Sequence, residues 1–501
     1  MGLRAVERSD VGVPAWWVDG DDDPCEAWLL FRVGIADETL LTRGITRLAL
    51  QVARTGVRHH DVDLDLVVEG AFAGFHLTGD PEDVAEVVAE LGRCLVTPPP
   101  SPSPRDRLEQ ARHDLLVSFD TRPLATGGLD AAIHFGATDY GLLGFDEFGL
   151  SSLDEEAVRA WTQRHLVGGN AVMAWSCRPP DHLAITLPWG PRLATPRPIP
   201  TDLPTPRYQS DLTQEGWAAV SLRVGEGLAG AVAARMVVRR LREGAGTMLR
   251  QRRTGVTPKV VLVSHPVLDG RTEVWNISCD GRPTEQSSAQ LVFDTAWLLA
   301  DEGTSRRELR AVAADLKAEL ADENRIVLRA LHAAVGDLLA SGQPPDHRQP
   351  DLVADLHPEA VRLAWIDALA TAVWLVSPNE DAPEGTGLAG DELVPMPKKG
   401  TRYRAFDPAD PTEIVLGEHV VAAVTSPTTG TVVPFRSCEG LIDLDGGVSM
   451  IVSTNGESFV IDPRAWIDGH QLLAAVHERV PADRQVGSAD PTATTSDLDF
   501  G

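Results

Sequence analysis

The chain reads as an α+β protein of two tandem halves, each a sheet packed with helices, followed by a small mostly-β domain with a C-terminal helix. Three observations predict it. The order strand, helix, strand pair, helices occurs twice, and Phe31-Arg32-Val33-Gly34 in the first copy has an echo in Leu222-Arg223-Val224-Gly225. Between the copies, residues 187–206 hold seven prolines and no apolar period, as a linker does. Beyond residue 400 the pattern changes to short apolar runs separated by Gly, Asn and Asp, the signature of strands and turns.

Residues 3–17 and 27–33 read as strands. Residues 34–51 then carry Leu41, Ile45, Leu48 and Val52 at steps of four, three and four, an apolar stripe along one helix face, with Gly44 near the helix start. On the neighbouring face Arg47, Leu50 and Gln51 share the i, i+3, i+4 spacing that gathers side chains over one turn. Residues 63–68 and 72–77 flank Glu69 and Gly70 and predict a hairpin. Asp80 caps a helix over 81–95, whose Val84, Val87, Val88, Leu91 and Leu95 share a face. The run PPPSPSP at 98–104 is an exposed connector. A helix follows over 129–140. Ser152 or Asp154 then caps a helix over 155–165, and a strand spans 170–176.

In the second copy a helix over 227–241 carries Ala229, Val232, Ala233, Met236, Val237 and Leu241 in one stripe. Strands over 260–264 and 273–279, helices over 290–301 and 305–339, and a closing helix over 357–376 complete it. Residues 379–400 are Gly- and Pro-rich and read as a flexible linker. Strands at 413–416, 420–424, 431–434, 440–444, 449–453 and 458–461 precede a helix over 466–480, and the polar tail 485–501 reads as disordered.

Composition narrows the function classes. A chain of 501 residues exceeds one ordinary core, and its 43% hydrophobic and 24% charged content is that of a folded soluble protein. A formal charge of −28 argues against nucleic acid and against anionic membrane surfaces, both of which rely on clustered Lys and Arg. No run approaches the roughly 18 apolar residues of a membrane span. The opening MGLRAVERSD has no apolar core, so neither a secretory nor a transit peptide is expected and a cytoplasmic location is. Cys25, Cys94, Cys177, Cys279 and Cys438 are widely spaced with no CxxC, which predicts reduced, buried thiols.

The string Gly34, Glu38, Gly44 and the five positions 47–51, behind the apolar run 27–33, resembles the insulinase/pitrilysin-like metallopeptidases, the inverzincins. In that family the helix carries HxxEH, two histidines that ligate zinc and a glutamate that acts on the metal-bound water. Here those positions are Arg47, Leu48, Ala49, Leu50 and Gln51. A guanidinium is a permanent cation and cannot ligate a metal. Leu50 has no proton acceptor where a general base is worth roughly 10²–10⁴ in rate. Gln51 offers one neutral oxygen. The resemblance therefore implies a catalytically degenerate member, with Arg47, Leu50 and Gln51 marking the lost zinc motif and with no metal or other cofactor. The resemblance also implies a helix over 106–119 that holds the family's third ligand, a glutamate some seventy residues on, and the nearest acids there are Glu109 and Asp114.

A second match covers GLLGFDEFGLSSLDEEAVRAWTQRHLVGGNAVMAWSCRPP at 141–180, where the family has a glycine-rich loop, a capped helix and a strand after an asparagine. The family's second half supplies a substrate-binding Arg and Tyr from a stretch resembling LRxxxGxxY. This chain keeps Arg250, has one extra residue before Gly255, and places Pro258 where the tyrosine stands. The end of the chain, VIDPRAWIDGHQLLAAVHERVP at 460–481, resembles the last strand and helix of bacterial PH-like barrels.

Other clusters point less sharply. His59, His60, Asp61 and Asp63 are the densest potential metal ligands but alternate like a strand entrance facing water. Lys398, Lys399, Arg402 and Arg404 would suit an acidic head group if the last domain bound lipid. Cys438 beside Glu439 lacks a base and reads as an inert thiol. The expected organisation is an insulinase-like N-terminal half over 1–190, a C-terminal half over 207–378, the linker over 379–400, a PH-like domain over 401–484 and the tail. The expected function is a non-catalytic binding or scaffold subunit. It pairs with a homologous active zinc peptidase or with a second copy of itself, or holds a peptide. An active metallopeptidase with a different metal site, and an adaptor working through the PH-like domain, are the alternatives.

Overall fold

The computed structural model describes residues 6–18, 24–57, 61–97, 103–119, 128–210, 217–224, 228–252, 259–265, 273–280, 288–320, 326–339, 349–376, 397–407, 409–425, 430–444 and 446–487. The first half runs β1 (Val6–Asp10), β2 (Pro14–Val18), β3 (Cys25–Phe31), α1 (Ile45–Arg54), β4 (Asp63–Val68), β5 (Ala73–Gly79), α2 (Pro81–Val96), α3 (Pro104–Phe119), α4 (Gly128–Phe135), α5 (Glu155–His165) and β6 (Ala171–Trp175). The second runs β7 (Arg207–Ser210), β8 (Trp217–Val224), α6 (Leu228–Arg252), β9 (Lys259–His265), β10 (Glu273–Asp280), α7 (Ser288–Glu302), α8 (Arg306–Leu320), α9 (Ile326–Leu338), α10 (Gln349–Asp355), α11 (Pro358–Leu369) and β11 (Val373–Val376).

The repeat is visible strand by strand. The first sheet is ordered β1-β2-β6-β3-β5-β4 and the second β7-β11-β8-β10-β9. Leaving out β1, the two share one pattern: β2 is parallel to β6 as β7 is to β11, and every other neighbour is antiparallel. The chain is thus two tandem α/β halves of one topology.

Strand parity divides each sheet between two cores. In β3, Ala27, Leu29 and Phe31 face a core shared with α1, α2 and α5, including Leu48, Leu50, Val84, Val88, Leu91 and Val158. Trp28 and Leu30 face the other way, onto Ala330, Ala334, Val335 and Leu338 of the second half's α9. The exchange is reciprocal, because Ile133 of α4 packs on Ala219, Val373 and Leu375 of the second sheet. Each half therefore lends one helix to the other's exposed sheet face, which a lone half would leave bare to water.

Capping explains several boundaries. Asp80 accepts from the Glu82 amide and Pro81 opens α2; Asp154, not Ser152, accepts from the Ala157 amide at 2.8 Å and opens α5. Four expectations need correction. The single strand over 3–17 is the hairpin β1–β2, because residues 11–13 turn. The helix over 129–140 ends at Phe135 and a 3-10 turn, Asp139–Gly144, takes over. The helix over 305–339 is two, α8 and α9, since α9 crosses to the first half's sheet. The helix over 357–376 stops at Leu369, and Val373–Val376 enters the sheet as β11.

The C-terminal domain has two four-stranded sheets. One is β12 (Thr401–Arg404), β13 (Glu413–Leu416), β14 (Val420–Val424) and β15 (Gly430–Pro434) in order. The other is built from β16 (Cys438–Leu444), β17 (Val448–Ser453), β18 (Ser458–Ile461) and β19 (Gln485–Val486), ordered β18-β17-β16-β19. Helix α12 (Gly469–Arg479) sets Leu472 and Val476 into their shared core against Ile414, Leu441, Ile451 and Ile461. Gln485 and Val486 pair in parallel with β16, so pairing continues past residue 484. Residues 488–501 of the expected tail, the expected linker up to residue 396, and residues 98–102 of the expected connector lie outside the described residues.

Candidate functional site

The site begins with how α1 is started. Gly44 sits at the helix N-cap with φ 103°, a left-handed conformation that L side chains avoid and glycine adopts freely. The Glu38 carboxylate then does the capping: it accepts from the amides of Gly44 at 2.9 Å and Thr46 at 3.0 Å, and from the Arg43 guanidinium at 3.0 Å. An anion at a helix N-terminus is favoured by the exposed N–H groups and the macrodipole. Burial pushes the Glu38 carboxyl up, against the downward pull of Arg43 and the two amides. The Gly34 amide in turn donates to Asp37, which holds the buried Arg32 at 2.5 Å.

Along α1 the three residues singled out in the sequence part company. Arg47 Nε lies 2.5 Å from Glu147 Oε1, and Glu147 also stands 3.8 Å from Arg43. Gln51 donates from Nε2 to Asp114 Oδ2 of α3 at 3.1 Å. Leu50 does not join them: it is fully buried in the first half's core beside Leu48 and Ala49. The buried stripe is therefore Ile45, Leu48, Ala49 and Leu50, while Leu41 and Val52 of the expected stripe are half-buried.

Asp114 takes a second amide, from Gln110 at 2.7 Å, whereas Glu109 pairs with Arg112 on the outer side of α3. A cavity of about 260 Å³ lies beside this contact, lined by Gln51, Arg54, Thr55 and Asp114. No local signal links Arg47 to Glu147, 100 residues on, or Gln51 to Asp114, 63 residues on.

The residues on this face do not fit a zinc ion. Zinc takes neutral imidazole or anionic ligands, typically three from protein in a catalytic site. Here a guanidinium is held in an ion pair, an amide is turned to donate rather than to ligate, and a leucine is in the core. Among the described residues no group of three or more His, Cys, Asp or Glu side chains is placed to hold a metal ion. Of the denser sequence cluster, His59 and His60 lie outside the described residues, and Asp61 and Asp63 are exposed at the entrance to β4.

Asn170 explains the second matched stretch. Its buried amide donates to the carbonyls of Arg32 and His165, both at 2.9 Å, and its oxygen accepts from the Leu193 amide at 3.0 Å. It ties the end of β3, the end of α5 and the linker at one point. In the second half Arg250 lies on α6, and Pro258 lies outside the described residues.

The C-terminal domain sits against this region. Ile442 and Val452 pack with Ile35, Leu40, Ala137 and Leu142, and the Ala137 amide donates to the Thr454 carbonyl at 3.0 Å. It covers the loop that leads into α1. Of its basic residues, Arg402 and Arg404 both meet Glu413, at 2.7 and 3.4 Å, while Lys398 and Lys399 are exposed. Burial pushes the Cys438 thiol up to about 11, which removes it as a nucleophile near neutrality.

No family model and no curated protein matches the chain. Solved structures do. A protein of Pseudomonas fluorescens described as a peptidase M16 inactive domain is 17% identical with a TM-score of 0.57, covering 76% of this chain and 99% of that one. A chain of complex III2 from Candida albicans is 15% identical with a TM-score of 0.56, covering 74% and 95%. Pitrilysin is 14% identical with a TM-score of 0.54, covering 76% of this chain and 46% of its own. At such identities the likeness is one of fold, and the fold is insulinase/pitrilysin-like.

Proposed function

We propose that this chain is a non-catalytic binding or scaffold subunit, a degenerate insulinase/pitrilysin-like protein that pairs with an active zinc peptidase of the same fold or holds a peptide. One observation carries the reading. The helix face on which the family builds its zinc site is spent on internal contacts, Arg47 with Glu147 and Gln51 with Asp114, while Leu50 is core. On this reading Asp114 stands at the family's third ligand position, since it is the acid of α3 that meets Gln51. Arg250 and Pro258 are the remains of the substrate-binding pair. The likeness to a protein described as an inactive domain, and to a chain of complex III2, supports a scaffold role.

In this account residues 1–190 and 207–378 are the two halves, 379–400 join them to a PH-like domain over 401–484, and the protein is cytoplasmic. Among the described residues no helix is long and apolar enough to cross a membrane. The docking of the C-terminal domain on the loop before α1 supports a fixed accessory module rather than a free adaptor.

The test is capture of the tagged chain from its native host, with mass spectrometry of what remains bound after a salt wash. A co-purifying homologue with an intact HxxEH motif supports the pairing. A monodisperse monomer, with no such homologue and no bound peptide, contradicts the reading.

A further inference from the structure

The register of the first sheet brings two cysteines face to face. β3 and β6 are antiparallel with Ala27 opposite Trp175, so continuing the pairing by two residues sets Cys25 opposite Cys177. The Ser176 amide donates to the Glu26 carbonyl at 2.8 Å while the Glu26 amide turns to the Ser176 hydroxyl at 2.9 Å, so this position keeps one ladder bond and Cys25 opposite Cys177, next to it, has the parity of a non-hydrogen-bonded pair. Such pairs hold their Cα atoms about 4.5 Å apart, inside the window that a disulfide spans. Parity agrees, since Cys25 and Cys177 both face the core of α1 and α2. The two Sγ atoms stand 2.7 Å apart, within an ångström of the roughly 2.05 Å covalent length.

We propose that Cys25 and Cys177 are a redox modification site, a dithiol that closes to a cross-strand disulfide in contact with a low-molecular-weight disulfide such as oxidised glutathione. Cys177, the more exposed of the two at 9% against 0%, reacts first. Its thiolate attacks one sulfur of the small disulfide and expels a small thiolate, leaving a mixed disulfide. Cys25 then loses its proton, its thiolate attacks the Cys177 sulfur, and the second small thiolate leaves. Two protons and two electrons pass from the protein to the oxidant, and one disulfide is exchanged for another. The Ser176 hydroxyl, donating to Cys25 Sγ at 3.7 Å, favours the thiolate in the second step. The bond joins residues 152 apart and encloses α1 through α5, so it staples the half that carries the Arg47–Glu147 and Gln51–Asp114 contacts.

The test uses the whole protein. One sample is held in oxidised glutathione under native conditions, and another is refolded in a glutathione redox buffer. Both are alkylated in denaturant and mapped by non-reducing peptide mass spectrometry. The expected result is a linked peptide pair containing Cys25 and Cys177, a mass lower by about 2 Da, and three alkylated cysteines. Dithiothreitol should then lower the Tm by roughly 5–10 °C, a shift that a Cys25→Ala/Cys177→Ala variant does not show. Five alkylated cysteines in both samples, or a link between any other pair, overturns the proposal whether or not the variant folds.

Discussion

Gln51 donates its side-chain amide to the carboxylate of Asp114 across 3.1 Å, joining α1 to α3. One turn earlier Arg47 reaches Glu147, and between them Leu50 turns into the core. Packing or pairing thus takes up all three of these side chains. The predictions below follow from these contacts.

Leu50 is a core residue, so its substitutions should behave as core substitutions. Leu50→Ala is expected to lower unfolding free energy by about 2–5 kcal/mol through the cavity it leaves. Leu50→Glu should be worse at pH 7 because it buries a charge with no partner. Urea unfolding of the two variants checks this. A loss below about 1 kcal/mol for Leu50→Glu would mean the side chain reaches water.

Glu38 holds the start of α1 and the Arg43 guanidinium together, with its side chain at 0% exposure. Glu38→Ala should destabilise by about 3–5 kcal/mol, since it removes the nearer of the two carboxylates beside the buried Arg43 and uncaps the helix. Glu38→Gln, which keeps one acceptor oxygen, should lose less. Equal losses in thermal unfolding would argue that the charge does not matter there.

His134 should make stability fall in acid. It is buried at the junction of the halves, where its Nε2 lies 3.0 Å from Ser221 Oγ. Burial, then the nearby Arg223 and Arg207, lowers it from 6.5 to about 3. The folded state therefore refuses a proton that the unfolded chain accepts. Stability is full above pH 6.5 and is lost as pH falls toward 3, by about 1.4 kcal/mol per unit for this one group. His165, lowered to about 4 mainly by burial, adds a second proton in the upper part of that window. His134→Gln should reduce the slope of unfolding free energy against pH by one proton; an unchanged slope would contradict the assignment.

Gly136 holds the C-terminal domain in place. Its φ is 74°, and a Cβ there would stand 2.0 Å from the Thr454 carbonyl oxygen. Gly136→Val should separate β17 from the first half while leaving each folded. Limited proteolysis should then release a C-terminal fragment at least several-fold faster than from the parent protein. No change in cleavage would mean that the apolar contacts of Ile442 and Val452 suffice.

Much of the fold is legible locally. The hairpin at 63–77, the Asp80 and Asp154 caps, Gly44 before α1 and the six apolar runs after residue 412 are all set by neighbours in sequence. Two of the misses come from tertiary partners. The apolar pattern of 305–339 is helical throughout, and only the first half's sheet, waiting for Ala330 and Ala334, makes α9 a separate element. Trp374 and its neighbours form a continuous apolar run that fits a buried helix or a central strand equally well until β7 and β8 flank it. The helix that carries Arg47 and Gln51 is readable, but the acids that meet them are not, because periodicity says nothing about a partner 63 or 100 residues away.

The most direct measurement is the metal content of the purified protein after equilibration with zinc and removal of loosely held ion. The account predicts less than about a tenth of an equivalent, unchanged by Gln51→Ala or Asp114→Ala. About one equivalent, lost on either substitution, would show that the α1–α3 face still holds an ion and would contradict it.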